Sequence, residues 1–410
     1  MDTVSERRVV VTGIGVISAI GNGREGFLAG LRAGRSGAGP VTAFDTTGFA
    51  YGQSCEVPDF ADDEQSEYGR ATRMAATASR MAVLDSGLSP EWLRGTQGLI
   101  AVGTTEGDAR DVDDLAAIEV AKGLADLDPL LARRSRFSRM PVAVADELGL
   151  VDVELITLPD VCAAGTYAIG YGLDAIRSGD VDYALCGGAD AICRRTFATF
   201  YRMGALARDV CRPFDQDRTG VVFGEGAAML VLESLDSALA RGAVVHAEVL
   251  DYHLNCDAFH PTRPVGESVA ECMRRALVNA AVAPGEVDLV IAHGTGTPTN
   301  DSMESAAFAD VFEGGPIPPV SAIKSMIGHT MGAASAHSCI AAMLAMEHGF
   351  LPPTINHRTA DPECPVDCVP NAARESEPRT VLVNALGFGG SNAAIVLRQF
   401  RAANQSEVAR

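Results

Sequence analysis

The chain has 410 residues, 47% hydrophobic and 21% charged, and its 53 Asp and Glu outnumber 33 Lys and Arg for a formal net charge of -20. That composition supports a large packed core and excludes a disordered chain. It also lacks the basic surface that a nucleic acid or an anionic membrane demands, so neither is expected as a partner.

Residues 1–8 are polar and lack the apolar run of a secretion signal, and no apolar run later in the chain reaches bilayer length. Residues 9–17 are apolar and β-branched and predict a buried strand; the Ala-rich stretch 71–86 predicts a helix, and 99–102 a second strand. Residues 105–139 break the pattern. They are acidic at first (Glu106, Asp108, Asp111, Asp113, Asp114), then basic (Arg133, Arg134, Arg136, Arg139), and read as an excursion from the core. Strands over 155–158, 183–186 and 228–232 accompany a helix over 168–178. A second series repeats this content: strands over 245–252, 287–292, 320–323, 379–384 and 393–398, helices over 268–281 and 333–348. The alternation predicts α/β layers with helices covering the sheet faces. The chain divides into halves of similar content, 1–241 and 242–410, with no low-complexity linker between them.

Three segments carry chemistry: Asp160-Val161-Cys162-Ala163-Ala164-Gly165-Thr166, Ala292-His293-Gly294-Thr295-Gly296-Thr297 and Lys324-Ser325-Met326-Ile327-Gly328-His329. Cys162 follows a strand and precedes a helix, so it is placed at a helix N-terminus, where unpaired N–H groups favour a thiolate. His293 and His329 each lie in a glycine-rich turn after a strand, as imidazoles positioned to hold charge on an acyl substrate. Cys186, Cys193 and the other cysteines lack that context and are expected to be structural, as are His246, His253, His260, His337, His348 and His357. Cys364 and Cys368 form an isolated pair with no second ligand pair, so no metal is expected. Ten cysteines without a paired framework fit a reducing cytoplasm. Thr12-Gly13-Ile14-Gly15-Val16-Ile17-Ser18 lacks the third glycine of a dinucleotide fingerprint, so no nicotinamide cofactor is expected.

These segments, with Arg212-Pro213-Phe214-Asp215, Gly224-Glu225-Gly226 and Asn384-Ala385-Leu386-Gly387-Phe388-Gly389-Gly390-Ser391-Asn392, resemble the Cys-His-His signature of the β-ketoacyl-acyl carrier protein synthases, the elongating condensing enzymes of fatty acid and polyketide synthesis. The resemblance runs nearly end to end. It implies a thiolase-like fold of two similar halves in five layers, α-β-α-β-α, and a decarboxylative Claisen condensation. In it Cys162 would carry the acyl group, and His293 and His329 would stabilise the enolate of a malonyl thioester. Lys324 would orient the histidines and pair with Glu304, while Asp301 would fix the local loop. Thr262, Thr295 and Thr297 would meet the phosphopantetheine arm; His260 lies in a segment that resembles the substrate channel. Phe388 would gate the acyl pocket and lend its N–H to an oxyanion hole. No cofactor is implied beyond the arm of the acyl carrier protein, the expected partner. Arg70, Arg73, Arg133, Arg134, Arg136 and Arg202 are candidates for its docking surface. A dimer is implied, of this chain with itself or with a chain-length-factor homologue. The competing assignment is a non-catalytic chain-length-factor-like or scaffold subunit. A degradative thiolase is disfavoured, since thiolases pair a histidine with a second cysteine.

Two departures from the family pattern stand out. Pro159-Asp160-Val161 precedes the nucleophile where a Thr-Ala or Ser-Ala pair is common. Glu106 falls where many fatty-acid members line the acyl pocket with an apolar residue; it is expected on a short or polar pocket wall, with an arginine pair at an interface as the alternative.

Overall fold

The computed structural model describes residues 7–401. In chain order its core elements are β1 (Val9–Ser18), α1 (Arg70–Ser86), β2 (Gly98–Gly103), α2 (Ala109–Lys122), α3 (Arg139–Leu148), β3 (Glu154–Leu158), α4 (Ala164–Ser178), β4 (Tyr183–Asp190), α5 (Arg194–Arg202), β5 (Gly226–Ser234), β6 (Ala247–Cys256), α6 (Gly266–Asn279), β7 (Leu289–Ile291), α7 (Pro298–Val311), β8 (Val320–Ser321), α8 (Ala334–His348), β9 (Thr380–Leu386) and β10 (Ser391–Arg398).

The strands pair in the order β8-β7-β9-β10-β6-β1-β5-β4-β2-β3. The first half contributes β3, β2 and β4 in parallel, then β5 and β1 antiparallel. The second contributes β8, β7 and β9 in parallel, then β10 and β6 antiparallel. The same pattern therefore occurs twice, joined where Val9–Val11 of β1 meets Ala247–Val249 of β6. Helices α1 and α3 pack on the outer face of the first half-sheet, and α6 and α7 on that of the second. Helices α4 and α8 fill the middle, in one apolar core with both half-sheets. These are the five layers of the thiolase-like fold.

The sequence explains why the layers sit so close. Helix α1 turns Ala71, Ala75, Ala78 and Ala82 inward, and β1 meets it with glycine: a Cβ on Gly15 would lie 1.8 Å from the Ala78 carbonyl oxygen. Helix α8 is buried continuously from Ala334 to Met346, as a helix with sheets on both sides must be. The repeat reaches the turns. Val161 and Met331 both have positive φ (45° and 52°); each opens a short 3-10 turn, Val161–Ala163 and Met331–Ala333, that leads into α4 or α8.

Helices α2, α3, α5 and α7 lie outside the sequence-based expectation. The 105–139 excursion holds α2 and Pro129–Arg134, a short helix. At the other limit of the first half, β3 is an edge strand, with Leu155 39% exposed and Val151 beside it uncovered. No helix among the described residues is long and apolar enough to cross a membrane.

Gly15→Ala should cost about 2 kcal/mol or more in chemical denaturation, because the new methyl would run into the α1 backbone at Ala78 and Ala82. Gly39→Ala, with nothing within 4 Å of the added Cβ, should change stability by no more than about 0.5 kcal/mol.

Candidate active site

Cys162 lies in the turn before α4, 4% exposed. Its neighbours are small because α4 and α8 abut there. A Cβ on Gly165 would come within 2.8 Å of Ser335 Oγ and 2.9 Å of the Ala336 nitrogen. The Thr166 N–H donates to Ser335 Oγ at 2.8 Å, tying the two helix starts together. Burial pushes the Cys162 thiol up to about 12, while Lys324 and the backbone N–H groups of Phe388 and Cys162 pull it down. Desolvation therefore opposes the thiolate that the helix N-terminus favours.

His329 Nε2 is 3.1 Å from the Cys162 sulfur. The His329 Nδ1 accepts from the Met331 N–H at 3.2 Å, so a neutral ring carries its proton on Nε2, facing the sulfur. His293 is set the same way: its Nδ1 accepts from the Leu386 N–H at 3.2 Å and has Lys324 Nζ at 3.4 Å. The two rings are 5.4 Å apart and nearly perpendicular. Burial, with the Lys324 charge, holds both well below the ordinary imidazole range. The site therefore presents two neutral Nε2–H donors around one sulfur.

Lys324 is buried, and its Nζ donates to the His293 carbonyl at 2.6 Å. Burial lowers its pKa and the Glu304 charge opposes this, but the two form no ion pair within 4.0 Å, contrary to the expected pairing. Glu304, on α7, instead accepts from the N–H groups of His293 (2.7 Å) and Gly294 (2.8 Å) and from the Asn384 amide (2.7 Å). It holds the histidine turn by its backbone. Asp301 does likewise one turn earlier on α7, accepting from the N–H groups of Phe214 (2.9 Å) and Gly296 (3.2 Å).

A cavity opens on Cys162, His293 and His329. Thr262, Thr295, Thr297, His260 and Phe388 all line it. The Thr295 and Thr297 hydroxyls lie 2.9 Å apart. Phe388 is 37% exposed and stacks on Phe200 of α5, with ring centroids 4.9 Å apart. Phe200 was missed from the sequence, although two inward aromatics, Phe197 and Phe200, mark α5. Asp190 was missed too: at the end of β4 it accepts from the N–H groups of Thr105, Glu106, Gly107 and Gly332, joining the excursion to the turn before α8. Burial pushes its carboxyl up to about 6.

Several expected site residues lie elsewhere. Glu106 does not line the cavity; its carboxylate accepts from Arg195 of the same chain at 2.6 Å, which removes the charge penalty a pocket wall would impose. Arg70 is inside the fold, donating to Glu225 at 2.6 Å. Arg134 is buried and donates to the Ser66 and Glu64 carbonyls, and Arg73 donates to the Ala61 carbonyl at 2.9 Å while covering Phe60. These three guanidiniums are engaged within the fold. Arg133, Arg136 and Arg202 are exposed. Cys364 and Cys368 are buried and unpaired, and no group of three or more potential metal ligands occurs among the described residues.

Residues 6–238 match the family described as beta-ketoacyl synthase, N-terminal domain, and residues 246–358 its C-terminal domain. The chain is 36% identical to the tetracenomycin polyketide synthase ketoacyl synthase alpha subunit of Streptomyces glaucescens, over 96% of this chain and 97% of that one. It is 34% identical to 3-oxoacyl-[acyl-carrier-protein] synthase 2 of Synechocystis, over 98% and 100%. Among solved structures, it superposes with a TM-score of 0.94 and 54% identity on a chain of the ishigamide ketosynthase/chain length factor, over 97% and 100%.

Two measurements check the protonation states. Because the Cys162 thiol is pushed up, its alkylation by iodoacetamide should rise about tenfold per pH unit from pH 7 to pH 10; a plateau near pH 8.5 would contradict the burial argument. Because both imidazoles are held below 6.5, NMR should find His293 and His329 neutral with Nε2–H from pH 8 down through pH 6.

Proposed function

The chain belongs to the beta-ketoacyl synthase family, and on that premise we propose the roles of its residues in an acyltransferase that condenses an acyl thioester with malonyl-acyl carrier protein. The observation that carries the assignment is one sulfur with two neutral Nε2–H donors at the end of one cavity.

Cys162 sulfur attacks the carbonyl carbon of an acyl thioester brought by a phosphopantetheine arm. The N–H groups of Cys162 and Phe388 hold the developing oxyanion. The carbon–sulfur bond to the arm breaks, and the arm leaves as a thiol with the proton that Cys162 gives up. His329 already donates through Nε2, so it stabilises the thiolate and is not the base. Malonyl carrier protein then enters. Loss of carbon dioxide leaves an enolate whose oxygen takes hydrogen bonds from His293 and His329, and its carbon attacks the acyl carbonyl and expels Cys162 thiolate, which takes a proton from solvent to return to the thiol. Electrons balance without oxidant or reductant, so the condensation calls for no redox group. Thr262, Thr295 and Thr297 meet the arm; Lys324, Glu304 and Asp301 hold the histidine turn; Phe388 gates the acyl end.

The 54% identity to a chain of a ketosynthase/chain length factor favours a polyketide pathway and a heterodimer over a fatty-acid homodimer. The uncovered β3 edge, with Val151 and Leu155 exposed, supports a partner strand there. We take 1–241 and 242–410 as the two halves of one unit, and ten free cysteines support a cytoplasmic location. Of the arginines, Arg133, Arg136 and Arg202 remain for carrier docking.

Intact-mass spectrometry with acyl carrier proteins should find the acyl group on Cys162 and a two-carbon-longer product after malonyl carrier protein is added. An unacylated Cys162 would return the chain to the non-catalytic subunit class. His293→Ala and His329→Ala should each lower malonyl decarboxylation ~100-fold or more while still acylating Cys162. Charge reversal at Arg133 and Arg136 should raise KM for carrier-bound but not CoA-bound acyl groups.

A further inference from the structure

The 386–390 segment brings Leu386, Gly387, Phe388 and Gly390 to the cavity wall, and the Phe388 N–H pulls the Cys162 thiol's pKa down. Several contacts hold that loop. On the outer side the Gly389 N–H donates to the Pro261 carbonyl at 2.8 Å, and Phe388 stacks on Phe200. On the inner side the loop closes on itself, the Gly387 N–H donating to the Ser391 carbonyl at 2.6 Å. The Ser391 hydroxyl in turn donates to Asp160 Oδ1 at 2.9 Å. This bond ties the first residue of β10, directly after the loop, to the nucleophile's turn.

The turn is strained at the same place. Val161, between Asp160 and Cys162, has φ of +45°, a region that β-branched residues rarely occupy. Its Cγ2 lies 2.7 Å from where a Gly387 side chain would begin, so the turn and the loop are in contact through the smallest possible residue. Tyr167 lies beside this bond: burial and the Asp160 charge push its phenol up to about 12. Asp160 and Val161 are also the departures from the family pattern that the condensation itself does not use.

We propose that Asp160 is a positioning residue, whose hydrogen bond to Ser391 latches the glycine loop against the nucleophile's turn and so keeps the Phe388 N–H on the acyl oxyanion. The inference rests on the proposed condensation. The latch acts on acyl transfer to Cys162, which uses the Phe388 N–H, and not on malonyl decarboxylation, which uses the two histidines. A strained turn needs a tie of this kind, since otherwise Val161 relaxes and carries the sulfur away from the loop.

The test compares Asp160→Ala, Ser391→Ala, the double variant and Asp160→Asn. Acyl transfer is read by stopped-time intact mass with an acyl carrier protein. Decarboxylation of malonyl carrier protein is read in a Cys162→Ala background. Both single alanine variants should slow acylation about tenfold, less than the outright loss of an oxyanion donor. The double variant should be no slower than either single one, because both remove one bond. Asp160→Asn, which can still accept from Ser391, should restore acylation, and decarboxylation should be unchanged throughout. Additive losses, an Asp160→Asn as slow as Asp160→Ala, or equal losses in both reactions would overturn the latch. If Asp160→Ala does not fold, Ser391→Ala reads the same bond from its other end. An unsubstituted chain that takes no acyl group would instead refute the proposed condensation.

Discussion

The reactive centre depends on one junction, where the starts of α4 and α8 meet between the half-sheets. The Thr166 N–H to Ser335 Oγ bond and the contact of Gly165 with the α8 backbone set the two halves in register. One half supplies the sulfur and the other both imidazoles, so no element of either half alone makes the site. The junction works only with residues near the smallest size, which is why a run of alanine and glycine follows Cys162. A larger side chain there would part the helices and lengthen the 3.1 Å approach of His329 to the sulfur.

Around that junction, buried charges are stabilised by the same bonds that place the reactive turns. An unpaired buried carboxylate costs several kcal/mol. Glu304 avoids that cost by taking four donors, two of them the N–H groups of His293 and Gly294. Asp190 takes five, including the N–H of Gly332 in the turn after His329. Moving either turn would strand a carboxylate, so the geometry of the imidazoles is held by electrostatics rather than by packing alone. Burial, with the nearby charge of Lys324, keeps both rings neutral, and neutral rings can donate to an anion while giving up no proton of their own.

Much of this was legible in the sequence, for identifiable reasons. Strands buried on both faces read as unbroken apolar runs, which is how β1, β2 and β5 declared themselves. Cys162, His293 and His329 stood out because glycine and alanine flank them. Helix α7 did not, because it buries Asn300, Asp301, Glu304 and Ser305; a polar inner face erases the apolar stripe on which periodicity relies. Charge was the poorest guide. Arg70 looked like surface until its partner Glu225, 155 residues away, was located, and Glu106 needed Arg195, 89 residues on. No local pattern tells whether a guanidinium turns inward or outward.

The duplicated turns carry a last consequence. Val161 and Met331 bend the chain alike, and the residues after them, Cys162 and Gly332, occupy equivalent places. A side chain on Gly332 would begin 2.5 Å from the Thr104 backbone and 2.8 Å from Asp190. Two identical halves could not be joined in this way, since the position that bears sulfur in one must be bare in the other. Divergence between the repeats is therefore a steric requirement before it is a chemical one, and it limits the molecule to a single nucleophile for two copies of its scaffold.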